Sequence, residues 1–290
     1  AGPPAVLKKV ALNNLPGLTT TQTADNTGMG QGAFGALTTG TGNAAFGKNA
    51  LALLTEGSNS TSIGHEAGYA SQGVGVSAPK DNTNVGYRAG YGNVDGDSNV
   101  FVGKSAGYAP SGVQRCVGVG AGAMEDASGL LLADNTAVGC DALKNAIRTT
   151  GTEGSNNTAI GSYALKENTT AEYNTAAGVL ALSANTTGAG NTGLGHNALA
   201  QNVDGSNNTA VGFQAGWGQL ATSNNNTCVG ANAGGANQNG DESTMIGAGA
   251  GENRLFHDKT TAAGFDAMKD TGPYMVGNTA MGYSALKNAL

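Results

Sequence analysis

The chain is predicted to be an all-β parallel β-solenoid of about fifteen coils of about seventeen residues. Three observations carry this: one short motif recurs along nearly the whole length, its spacing is nearly constant, and glycine is abundant, with 49 in 290 residues. Self-similarity at a fixed short period marks a stacked-coil architecture. The motif reads Asn-Thr-small-apolar-Gly-x-x-Ala. Its cleanest copies are Asn135-Thr136-Ala137-Val138-Gly139, Asn157-Thr158-Ala159-Ile160-Gly161 and Asn208-Thr209-Ala210-Val211-Gly212, closed by Ala142, Ala164 and Ala215 respectively.

With the glycine of each copy as anchor, fifteen copies run from Gly30 to Gly282, with Gly118 serving as the sixth. Eight of the fourteen intervals are 17 residues and two are 18; the rest are 15, 21, 22 and 22. Such a period is too short for paired-helix repeats. The anchor is expected to adopt a bend or a left-handed backbone, which glycine takes without penalty. Three residues later every copy has Ala, which implies a site where backbones approach closely. The residue before the anchor is large and apolar in thirteen copies, and is expected to be the core-facing knob. Its predecessor is small, hence crowded. Asn stands four residues before the anchor in eleven copies, and Thr three before it in twelve. Stacked Asn side chains can serve the unpaired backbone of a tight corner, and β-branched Thr suits the start of a strand.

Pro79, Pro110 and Pro273 fall in connecting segments, and Pro3, Pro4 and Pro16 precede the first coil, as strand hydrogen bonding requires. Residues 1–25 read as a separate connecting segment and 26–290 as the repeat domain. Within the former, Ala5 to Leu12 is apolar enough to plug the first coil or continue an upstream domain. Ala142 to Ala146 looks locally helical but fits the Ala and Leu slots of one coil followed by a loop. The chain reads as a piece of something longer.

Composition excludes several classes. Charged residues are only 12%, and the net charge of −6 argues against nucleic acid, which needs clustered Lys and Arg. No apolar run approaches a membrane span. Cys116 and Cys228 occupy the small slot before the knob whereas Cys140 follows its anchor, so buried thiols are expected in place of a disulfide framework. A narrow roll has little interior, which favours association of several chains.

No chemistry is expected: no catalytic residue, no cofactor, no metal. His65 and His196 each follow an anchor, eight coils and about 40 Å apart, and His257 lies in a loop. Gly118-x-Gly120-x-Gly122 and Gly247-x-Gly249-x-Gly251 imitate phosphate loops but precede no helix. The acidic residues, among them Glu125, Asp126, Asp134, Glu153, Asp204 and Asp241, are scattered over loops without the ligand spacing of a calcium site.

Two features could carry recognition. The long intervals add residues at 70–81, 124–134 and 145–156, one place in the coil, and insertions into a solenoid emerge on one face. Five residues after their anchors stand Tyr69, Tyr91 and Tyr108 in successive coils, and later Trp217, each preceded by Gly where other coils have Leu. These rings either fill the space of the missing leucine or form a ladder on which sugars stack, with Arg88 nearby for hydroxyl contacts.

The motif resembles the left-handed parallel β-roll repeat of trimeric autotransporter adhesin heads. It is closer still to the Asn-Thr-Ala-Val-Gly-Tyr-Gln-Ala-Leu arrays of phage tail fibres; Gly212-Phe213-Gln214-Ala215 and Gly282-Tyr283-Ser284-Ala285-Leu286 are near matches. The likeness covers about 26–290. It implies an elongated homotrimer joined to upstream and downstream fibre domains, extracellular, on a virion tail fibre or cell-surface appendage, with host cell-surface glycan as the expected receptor. The alternative it implies is a bacterial adhesin head binding host matrix or sugar. Ice binding through the Thr row is a minor third expectation, weakened because the slot two before Thr is mixed.

Overall fold

The computed structural model describes residues 20–21, 25–71, 79–108, 112–129, 132–148, 154–218, 223–235, 240–252, 257–271 and 275–288. Its backbone is all-β. One sheet of sixteen strands runs the length of the molecule. The first, Thr20–Thr21, pairs antiparallel with Thr27–Met29; every later pairing in that sheet is parallel, leaving fifteen stacked parallel strands. The register places like on like: Thr158 faces Thr175, Ala159 faces Ala176 and Ile160 faces Ala177. The chain is thus a parallel β-solenoid with laps of about 17 residues. Ala5 to Leu12 lies outside the described residues, so the plug expected there is not placed.

Each parallel strand is only three residues long because the anchor ends it. Gly178 has φ of 144° and a Cβ there would lie 2.6 Å from the carbonyl carbon of Gly195 in the next coil. Both the positive φ and the close approach of stacked backbones demand glycine. Stacked backbones therefore come close at the anchor, while the recurrent alanine, such as Ala142, Ala164 or Ala215, is a fully buried core residue. A turn joins the two: the Ala164 N–H donates to the Gly161 carbonyl at 3.3 Å.

The sixth anchor is Gly120, not Gly118. Gly120 has φ of 135° and its strand, Val117–Val119, aligns Gly118 with Ala137. Gly118 is instead the residue two before the anchor, where a Cβ would sit 3.0 Å from the Phe101 ring. With this register the intervals of 15 and 21 become 17 and 19, and Ala123 takes the alanine slot.

The large apolar residue before the anchor does not face the core. Strands alternate faces, and the middle residue is the inward one: in Thr158–Ile160 only Ala159 is buried, and Ile160 is 46% exposed. The small slot is the core slot. Opposite it, four residues after the anchor, sits the true large core residue: Leu51, Met124, Leu143, Leu165, Leu182, Leu199 and Met268. That position is left-handed in every coil, with φ of 49° at Leu143 and Leu165. A non-glycine residue there costs about 1–2 kcal/mol. Burying leucine returns about 2–3 kcal/mol, so the strain is tolerated.

The two inward slots trade volume. In five coils where the later slot is Gly the inner slot is larger, the coil of Ala210 and Gly216 being the exception: a Cβ on Gly107 would meet the Phe101 ring at 2.6 Å, and one on Gly68 would meet Ser62 Oγ at 2.7 Å. The exchange also runs in reverse, with Phe34 filling the space above Gly28. Interiors are close-packed, and the swap offsets part of the missing volume.

The asparagine rank forms the expected ladder, made mainly from side chain to backbone. The Asn174 N–H donates to Asn157 Oδ1 at 2.9 Å, while Asn157 Nδ2 donates to the Ala171 carbonyl at 2.9 Å. Ser60 and Ser243 accept in the same way where Asn is missing. Cys116 also occupies this slot, a consequence of the corrected register, and its Sγ accepts from the Asn135 N–H. A second ladder, Asn168–Asn185–Asn202, stands seven residues after the anchors, with amide-to-amide bonds of 3.1 and 2.8 Å. Asn157→Ala should cost about 1–3 kcal/mol, since it strands the buried Asn174 N–H, while the Ala171 carbonyl keeps the Asn168 Nδ2 donor at 3.0 Å. Chemical denaturation checks this; a change below about 0.5 kcal/mol would mean the ladder is not a structural element.

Residues 142–146 are turn and loop, with no helix, as the repeat register requires. Short extra strands grow beside the main sheet: Ser128–Gly129 pairs parallel with Ile147–Arg148, and His257–Asp258 with Met275–Val276. His257 therefore begins a strand, not a loop.

Candidate functional site

Two outward features stand out. The first is the outer face of the main sheet. Along it run the threonine rank and the apolar rank beside the anchors. Met29, Phe46, Ile63, Val138, Ile160, Leu194, Ile246 and Met281 are all exposed, and Val211 is half-buried. The slot just after the anchor borders this rank and carries Tyr87, Phe213, Phe265 and Tyr283, again exposed. Rings stack from coil to coil there: His65 on Tyr87, His196 on Phe213 and Phe265 on Tyr283, each with centroids 5.5 Å apart. Single exposed apolar side chains are ordinary; here they line up in register from coil to coil.

The second feature is the tyrosine ladder. Tyr69, Tyr91 and Tyr108 stack at 5.0 and 5.1 Å, nearly parallel in the first pair. They do not fill a leucine-shaped void; Ser62, Asn84 and Phe101 do that from the inner slot. Because the rings cover one another, the faces of Tyr91 are spent within the ladder. Burial pushes the Tyr91 phenol above its usual range. Arg88 lies over the rings of Tyr87, Tyr91 and Tyr108 at 5.0, 5.4 and 5.9 Å, and its Nε donates to Glu66 Oε2 at 2.7 Å. The guanidinium is thus engaged on its face and on one edge. Trp217 is not in this ladder. It is 39% exposed, and its slot neighbours one lap to either side are Ala200 and Gly235.

The long intervals are placed in part. Residues 72–78, 130–131 and 149–153 lie outside the described residues, as does Glu153. The described ends of the segments 124–134 and 145–156 pair as the small sheet noted above, so these insertions stack on one another.

Several charged groups are taken up by neighbours. Lys144 Nζ lies 2.9 Å from Glu125, Arg115 holds Asp134 through two bonds of 2.7 and 2.8 Å, and Asp204 accepts from the hydroxyls of Thr186 and Thr187. The Arg115 hydrogen bonds hold the Asp134 carboxyl below its usual range. Asp241 accepts the Asn224 N–H at 2.6 Å. Among the described residues no three His, Cys, Asp or Glu side chains are grouped to hold a metal, and no helix is long and apolar enough to cross a membrane. His65 and His196 are seven strands apart in the stack, one fewer than expected. Gly120, Gly122, Gly247, Gly249 and Gly251 all have positive φ at repeat positions, and no helix follows them.

All three cysteines are thiols; Cys116 and Cys228 are buried, whereas Cys140 is exposed, against the expectation of three buried groups. Burial pushes the Cys116 and Cys228 thiols up to about 12. A thiol-reactive dye at pH 8 should therefore label one cysteine fast and two only after denaturation; rapid labelling of all three would contradict the buried positions.

No protein-family model matches the chain, and no curated protein or solved structure matches it.

One surface escaped the sequence reading. A hollow of about 370 Å³ lies beside Tyr163, lined also by Lys166, Glu167, Leu180, Ser183 and Ala184. The only sequence signal was a drop from long to short side chains between successive coils.

Proposed function

We propose that this chain is a structural and adhesive fibre segment, a left-handed β-roll that assembles as a parallel homotrimer about a shared axis. A phage tail fibre or related extracellular appendage is the setting, joined to further fibre domains. The single observation that supports it is the outward apolar rank. A rank such as Val138, Ile160, Leu194 and Ile246 in register along one face has no use for a lone chain in water. Three copies of that face, turned inward, bury it and supply the core volume a single narrow roll lacks. Parallel assembly follows because each rank then meets its own equivalent. The opposite faces remain outward, where aromatic side chains can meet host cell-surface glycans.

The mass in solution tests this. Light scattering should return three times 28.4 kDa at micromolar concentration. A stable mass of 28.4 kDa would remove the assembly and the fibre with it. The ice-binding reading uses the same sheet face but needs it bare. There the rank sharing that face with threonine is apolar, so a monomer that inhibits ice growth would favour that reading instead.

A further inference from the structure

We infer that Val179 and Phe265 are register keys of the assembly. Each fills a gap that Ala177 and Ala263 leave in the apolar rank of the neighbouring copy, and together they hold the chains in lap-for-lap alignment. The inference rests on the parallel trimer proposed above, and it adds a means of choosing one alignment among many.

The repeat itself sets the problem. Parallel strands carry nearly the same outward residues from lap to lap, so a copy shifted along the axis by one lap would lose only one lap of contact. A repetitive surface specifies register weakly. The outward apolar rank, one residue before each anchor, breaks at two places: Ala177 and Ala263 stand where the other coils have Val, Ile, Leu, Met or Phe. In both coils the slot just after the anchor is large and apolar, Val179 and Phe265. Ten of the other thirteen coils have Gln, Lys, His, Ser, Cys or Ala in that slot, so the match at the gaps does not come from a general preference for bulk. Val179 is 43% exposed and Phe265 50%, so neither is absorbed by its own coil. Two slots that face water have no reason to trade volume. Packed against a neighbour they do, because interiors are close-packed. The exchange is confined to the gaps: Val85 with Tyr87 and Val211 with Phe213 are large in both slots.

A ring of three makes heterologous contacts, in which one column of a copy meets a different column of the next. In this arrangement the rank before the anchor meets the slot after it on the adjacent copy. With the strands level, Val179 lies against Ala177 of the neighbouring copy and Phe265 against its Ala263. The two gaps are five strands apart in the stack, about 24 Å at the usual interstrand spacing. A slip of one lap sets Val179 against Ile160 or Leu194 and Phe265 against Ile246 or Met281, large against large. Overpacking of that kind destabilises, as the emptied gap does. A slip of five laps pairs only one gap, and with the wrong key. Level alignment alone satisfies both.

Sedimentation of the full chain tests the keys. Phe265→Ala empties one key and Ala263→Phe overfills its gap; each alone should weaken the trimer at least tenfold. The two together exchange key and gap, and should bring the affinity back to within threefold of the unchanged chain. In single copies, held apart by Val138→Asp with Ile160→Asp, the same changes should shift melting additively, because no neighbour couples them. Alignment is read separately by dipolar spectroscopy. Chains labelled at Ser98→Cys are mixed with chains carrying a spectroscopically distinct label at Asn207→Cys, both in a Cys140→Ser background. Loss of both keys, Val179→Ala with Phe265→Ala, should add distances about 4–5 Å to either side of the original value, as a one-lap slip does. A trimer that the exchange fails to restore, or whose label distances ignore the loss of both keys, would overturn the keys and leave the trimer standing. Equal coupling in single copies would place the trade within one coil and overturn them as well. A mass of 28.4 kDa for the unchanged chain would remove keys and trimer together.

Discussion

Val138→Asp combined with Ile160→Asp is expected to abolish assembly, lowering the mass from three times 28.4 kDa to 28.4 kDa. The two residues stand one above the other in the outward apolar rank, as the pairing of their strands shows. Both are exposed in the single chain, so the substitutions add carboxylates to water and leave the coil interior alone. In a trimer built on this face the same change places six carboxylates near one axis. Desolvating such charges without partners costs several kcal/mol each, which exceeds what a narrow interface can return. Sedimentation velocity reads the outcome. A trimer that persists at micromolar concentration would show that this face is not the contact.

Gly178→Ala should produce a loss of stability far beyond that of an ordinary added methyl. Gly178 sits in mid-stack with φ of 144°. The new Cβ would approach the Gly195 backbone to 2.6 Å, a contact with no flexible side chain to move aside. The strain alone is worth about 1–3 kcal/mol, and the clash adds to it. A total of 3 kcal/mol or more is expected, in a family of variants that normally lies within about 1 kcal/mol. The same change at Gly282 is the control, since a Cβ there meets nothing within 4 Å although φ is 121°. Strain is common to both sites, so the difference between their denaturation midpoints isolates the stacking contact. Equal midpoints would mean that the anchors do not lie on one another.

The period, the strand positions and the Asn ladder were all legible in the residues, because each is set by a local demand repeated every lap. A corner needs an acceptor, so Asn135, Asn157 and Asn208 recur; a backbone contact needs glycine, so Gly139, Gly161 and Gly212 recur. Which way a side chain points was harder. Val138, Ile160 and Val211 look like core residues by chemistry, and Ala137, Ala159 and Ala210 look incidental. The strand reverses this, because the roll is too narrow to admit the larger rank. Reading the leucines as left-handed core residues was also out of reach, since that conformation is unusual for leucine. The misplaced sixth anchor has the same root. Gly118 and Gly120 both satisfy a local pattern, and only the bulk of Phe101 one coil below decides between them. The candidate site fared unevenly. Tyr69, Tyr91 and Tyr108 were found, but their mutual stacking is a property of the rise between coils. The Tyr163 hollow depends on a difference between laps, to which a search for sameness is blind.

The central claim is that every lap of the backbone lands on the one before, and a distance across many laps tests it most directly. Ser98 and Asn207 are exposed and occupy the same slot, six strands apart in the stack. Spin labels on cysteines at these two positions, in a Cys140→Ser background and diluted with unlabelled chain, report the separation by dipolar spectroscopy. Six rises at the interstrand spacing predict one narrow distribution near 29 Å, before allowance for the label arms. A broad distribution, or a narrow one far from that value, would contradict the stacked solenoid and every conclusion built on its ranks.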